Sequence, residues 1–104
     1  MFTEYMYYDL EIKEVDIRES LKGTPYIQIK WQDINNEDNY LFDNIVSFEP
    51  ANFSALRRLN YYSIPYWLER PIESKDLEYL IGWKDNLKVI FENYRSRKFA
   101  KIVI

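Results

Sequence analysis

The chain has 104 residues, 47% of them apolar, 18% aromatic and 30% charged, with a formal net charge of −3. That length suits one domain spanning residues 1–104, and the aromatic content suits a globular rather than a disordered chain. The absence of cysteine and histidine excludes disulfides, thiolate and imidazole metal sites, cysteine nucleophiles and histidine-based triads.

Charge is unevenly spread. Residues 1–50 hold eleven acids against four bases, or −7, whereas residues 51–104 hold six acids against ten bases, or +4. Arg95, Arg97, Lys98 and Lys101 crowd the end of the basic half. An acidic surface speeds encounter with a basic partner and disfavours phosphates, and a basic patch does the reverse.

In chain order, Met6, Tyr8, Leu10 and Ile12 alternate with charged positions, the period of a half-buried strand. The phase slips at Lys13 and Glu14, so a bulge is expected there, with the strand continuing to Arg18. Residues 20–25 around Gly23 and Pro25 read as a turn. Tyr26 to Gln32 predicts a second strand that buries Ile27, Ile29 and Trp31. The polar run Asp33 to Asn39 predicts a hairpin turn, and Tyr40 to Phe48 the returning strand, with Tyr40, Phe42, Val46 and Phe48 in one phase and Pro50 as its end.

Asn52 suits a helix N-cap for a short helix at about 53 to 60, with Phe53, Leu56 and Leu59 at helical spacing. Residues 60–68 form a tyrosine-rich irregular segment. From Ser74, read as a second N-cap, Leu77, Leu80, Ile81, Leu87, Ile90, Phe91 and Tyr94 predict a longer helical region that Gly82 divides. The apolar run from Phe99 to Ile104 predicts a final strand buried on both faces. The expected fold class is α+β: a mainly antiparallel sheet of about four strands, C-terminal helices packed on one face and a C-terminal strand.

Motifs that carry chemistry are scarce. The acidic turn at 33–38 departs from a calcium loop, having Asp38 where glycine is required and Asn44 where the bidentate glutamate belongs. The two glycines, Gly23 and Gly82, permit no phosphate-cradling glycine loop. With 17 acids in the chain, carboxylate pairs arise by chance, so no such pair singles out a glycosidase. We expect no enzyme, no cofactor and no metal.

The start of the chain shows no basic region followed by an apolar run, and its longest uncharged stretch is the ten residues from Leu59 to Leu68. A cytoplasmic location without membrane contact is expected. Asn60 to Leu68 carries four aromatics, Tyr61, Tyr62, Tyr66 and Trp67, the residue types that dominate interface hot spots; the same rings would equally serve to fill the core.

These features together suggest a protein-binding module that blocks a cognate partner. In character, with no motif to carry it, such a module is similar to bacterial immunity proteins that neutralise a basic, nuclease-like toxin. Glu11, Glu14, Asp33, Glu37 and Asp38 are the expected pairing acids and Tyr61, Tyr62, Tyr66 and Trp67 the expected anchors. Two alternatives stand beside it: a nucleic-acid-associated protein using Arg95, Arg97 and Lys98, against which the acidic overall balance argues, and a self-associating, phage-type assembly protein whose terminal strand serves as an edge.

Overall fold

The computed structural model of the chain describes residues 1–46, 53–65 and 70–104. Its elements run β1 (Tyr7–Glu19), β2 (Pro25–Asp33), β3 (Asn36–Ile45), α1 (Phe53–Tyr61), two 3-10 turns (Ser74–Asp76 and Glu78–Leu80), β4 (Lys84–Tyr94) and β5 (Arg97–Ile102). The sheet has five antiparallel-paired strands in the order β3-β2-β1-β4-β5. It curls until its two edge strands, β3 and β5, approach one another.

The expected α+β class therefore holds, with one strand more and one helix fewer than the sequence suggested. The predicted helical region after Ser74 is two 3-10 turns and a strand. Leu87 and Val89, both buried on β4, satisfy a period of two as well as helical spacing, and aromatic and β-branched residues favour the strand. Glu73, not Ser74, caps the first turn: its backbone N–H donates to Asp76 Oδ2 at 2.9 Å.

β1 is the hinge of the sheet. Its first half pairs β4, from Tyr7 opposite Lys88 to Glu11 opposite Lys84, and its second half pairs β2 as far as Glu19 opposite Pro25. The expected bulge falls between Ile12 and Glu14. Just before it the Ile12 backbone bonds Gly82 and Trp83, at 2.9 and 2.8 Å, which stitches the entry of β4 to β1.

Ile27, Ile29 and Trp31 are fully buried, as their alternation predicted. On β3 the buried phase is Asn39, Leu41, Asp43 and Ile45, while Tyr40, Phe42 and Val46 point outward, the reverse of what apolarity alone suggests. β5 is also one-sided. Ile102 is buried, but Phe99 is 48% exposed, because an edge strand of a curled sheet has the core on a single face. In α1 the buried residues are Ala55, Arg58 and Leu59 rather than Phe53. Asn52, Phe48 and Pro50 lie outside the described residues.

Candidate functional site

α1 is anchored to the sheet by a chain of polar groups inside the core. Trp31 Nε1 donates to Tyr62 Oη at 3.0 Å, and Tyr62 Oη donates to Asp43 Oδ2 at 2.6 Å. Arg58 Nε donates to Asp43 Oδ1 at 3.0 Å, and its Nη1 donates to Ser54 Oγ at 3.0 Å. Among the described residues no buried side-chain polar atom lacks a partner. Burial, with Asp43 beside it, holds the Tyr62 phenol well above its ordinary value of 10.0.

Next to this network Tyr61 donates to Asp85 and stacks on Trp83 at 5.7 Å between centroids, and Tyr79 Oη donates to the Tyr62 carbonyl at 2.5 Å. Burial first, then the Asp85 bond, raises the Tyr61 phenol as well. These tyrosines join the helix to the start of β4.

The structure thus divides the nine residues singled out in the sequence. Tyr62 is fully buried and belongs to the core, and Tyr61 is half-buried and hydrogen-bonded. Asp33 is 6% exposed, with Oδ1 accepting the Asn35 N–H at 2.9 Å and Oδ2 accepting Asn39 Nδ2 at 3.4 Å. It holds the β2–β3 turn and, so placed, does not present its carboxylate to a partner. Tyr66 and Trp67 lie outside the described residues. Glu14, Glu37 and Asp38 are exposed, and Glu11 is half-buried with its carboxylate paired to Lys13 Nζ at 3.3 Å.

The strand register puts three of those acids, Glu11, Glu14 and Asp38, on the same outer face as a pair of exposed rings. Across the outer face of β1, β2 and β3 run the rows Glu11, Gln32, Tyr40; then Glu14, Lys30, Phe42; then Asp16, Gln28, Asn44. Tyr40 is 49% and Phe42 41% exposed, and their rings meet edge to face at 5.8 Å. Lys30 Nζ lies 4.6 Å from the Tyr40 ring centre, a cation–π contact. Asp38 shares the outward phase of β3 with Tyr40 and Phe42, and Glu37 adjoins it at the hairpin tip.

The face therefore carries a pair of exposed aromatic rings, with Asp38 in the same phase of β3 and the β1 carboxylates beyond β2. The signal in the sequence was the Tyr40–Phe42 alternation. That alternation does not show which phase faces the core, since the inward phase carries Asn39 and Asp43, whose burial makes sense only once Arg58, Tyr62 and Asp33 are seen beside them.

Between β3, α1 and the β4–β5 hairpin lies a groove of about 560 Å3, lined among the described residues by Phe42, Ile45, Arg58, Tyr94 and Phe99. Among the described residues no helix is long and apolar enough to cross a membrane. The chain matches no known family model and no curated protein.

Proposed function

We propose that the chain is a non-catalytic binding module that docks on a basic protein and blocks it, an inhibitor of immunity or antitoxin type acting on a nuclease-like toxin. One observation carries this reading: the outer face of β1–β3 sets exposed Tyr40 and Phe42 on edge strand β3, with Asp38 in the same phase and a row of acids, Glu11, Glu14 and Asp16, two strands away on β1 beyond Gln28, Lys30 and Gln32. Exposed rings supply affinity at a protein interface and a flanking row of charge supplies steering, and this face offers both side by side. A row of carboxylates selects a cationic partner. The cytoplasm is the compartment that this reading expects.

Affinity capture from the native host with the tagged protein, washed at moderate salt, tests it. Recovery of one basic protein near equal stoichiometry is expected. Tyr40→Ala or Phe42→Ala should lower its affinity about thirty-fold, the scale of a hot-spot truncation. Glu14→Gln should chiefly slow association and flatten its salt dependence. Capture that survives all three changes undiminished overturns the reading.

A further inference from the structure

At the tip of the β4–β5 hairpin, Tyr94, Arg95, Ser96, Arg97, Lys98 and Phe99 interleave rings and cations. Tyr94 pairs with Arg97 and Glu92 with Phe99, so Tyr94, Arg97, Phe99 and Glu92 share one face of the hairpin, while Lys98, opposite Asn93, lies on the other beside the tip. Tyr94 is 61% and Phe99 48% exposed. The Arg95 guanidinium lies 5.3 Å from the Tyr94 ring centre. No acid occurs from Asn93 to Lys98, and the acid next to the tip, Glu92, is held by Lys101 Nζ at 3.0 Å. Among the described residues Arg95, Arg97 and Lys98 make no ion pair.

The turn itself is strained. Arg95 and Ser96 both sit at positive φ, 49° and 65°, in a two-residue connection where asparagine and glycine are the comfortable occupants. Strain of this kind persists where the side chains are of use, and here one of them is a guanidinium stacked on a ring.

We propose that this hairpin tip binds single-stranded nucleic acid, the cations meeting phosphates and Tyr94 and Phe99 stacking on unpaired bases. Two exposed rings flanked by cations that make no ion pair among the described residues are the elements of such a site, since every base has a face to stack and every nucleotide a phosphate. An acidic peptide would engage the cations alone and leave the rings wet. The net charge of −3 repels phosphates at long range, so the contact is local and best seen at low salt. The hairpin tip adjoins the face on β1–β3 at the groove where Phe42 meets Tyr94 and Phe99, but its cations and its variants belong to β4 and β5, so its test is read separately from that of the first reading.

Fluorescence anisotropy with a labelled oligothymidylate of about ten nucleotides tests the proposal, a length within the range of single-strand binding sites. Three phosphate contacts predict a slope of about −2 in log affinity against log salt, or about a twenty-fold loss between about 50 and about 200 mM. The triple variant Arg95→Gln, Arg97→Gln, Lys98→Gln should abolish that slope. Tyr94→Ala should weaken binding about five-fold or more with the slope unchanged. All of these side chains are exposed, and a thermal melt matching the parent's confirms that each variant is folded. The proposal fails if the oligonucleotide is not bound at low salt, if the triple variant binds as the parent does, or if polyglutamate or a duplex binds as tightly and Tyr94→Ala changes nothing.

Discussion

Ser63 follows α1 at φ 55°, the left-handed conformation that an L side chain adopts at a cost. Its N–H bonds the Asn60 carbonyl at 3.1 Å and that of Ile64 bonds the Leu59 carbonyl at 2.9 Å, the paired bonds of a Schellman cap, in which glycine is the usual occupant of Ser63's position. Ser63→Gly should therefore raise stability by about 1 kcal/mol, visible in calorimetry as a midpoint about 4–8 °C higher. One residue earlier, Tyr62 spends its hydroxyl on both Trp31 and Asp43. Tyr62→Phe keeps the ring but leaves Asp43 short of a donor and Trp31 short of an acceptor. A loss of about 1–3 kcal/mol in urea unfolding is expected.

Between elements, the Asp43–Arg58 pair is what ties α1 to β3. Both side chains are nearly excluded from solvent, at 3% and 11% exposure. Removing either partner strands a buried charge, so Asp43→Leu and Arg58→Met should each cost about 3–5 kcal/mol. The double variant should lose less than the sum of the two, since it leaves no unpaired buried charge, although the Tyr62 hydroxyl still loses its acceptor. A double-mutant cycle by urea denaturation measures the difference, and strict additivity would mean that the pair contributes no coupling. The β4–β5 hairpin reverses the relation between stability and use: Arg95→Asn with Ser96→Gly relieves the positive φ angles and should stabilise the fold by about 1 kcal/mol while weakening any ligand that needs Arg95.

For the molecule as a whole, the clustered phenols set its response to alkali. Tyr61, Tyr62 and Tyr79 all have their ionisation raised above the ordinary 10.0, burial being the largest cause for each. A phenol raised on folding keeps its proton in the native state after the unfolded chain has released it. The unfolded state then binds fewer protons and stability falls as pH rises. The stabilisation is complete below pH 10 and is lost progressively above it, at about 1.4 kcal/mol per pH unit from Tyr62 alone. Chemical denaturation followed from neutral pH into this range should show the decline, and Tyr62→Phe should make it shallower. At the acid end Asp76 acts in the opposite sense. The Arg70 guanidinium, bonded at 2.7 Å through both nitrogens, holds its carboxyl well below the usual carboxylate range, so the contribution is present above pH 3.8 and is lost as pH falls.

What the sequence determined by itself is local and periodic. The alternation at Ile27, Ile29 and Trp31, the slip at Lys13 and Glu14 and the short helix beginning near Phe53 all depend on neighbours within a few residues, and each is found in the structure. The turn expected over residues 33–39 shrinks to Ile34 and Asn35, because the ladder with β2 draws Asn36 to Asn39 into β3. The tertiary structure decided what depends on distant partners. Asp43 faces inward because Arg58 and Tyr62 meet it there, which turns Tyr40 and Phe42 to the surface. Residues 84–94 form a strand because β1 and β5 both offer a ladder, whereas their spacing alone was equally compatible with a helix. A strand cannot satisfy its backbone without a neighbour, and a buried charge cannot persist without one. Hence the face of β3, the identity of β4 and the placing of Glu11, Glu14 and Asp38 on one face with two rings were settled only when remote parts of the chain came together.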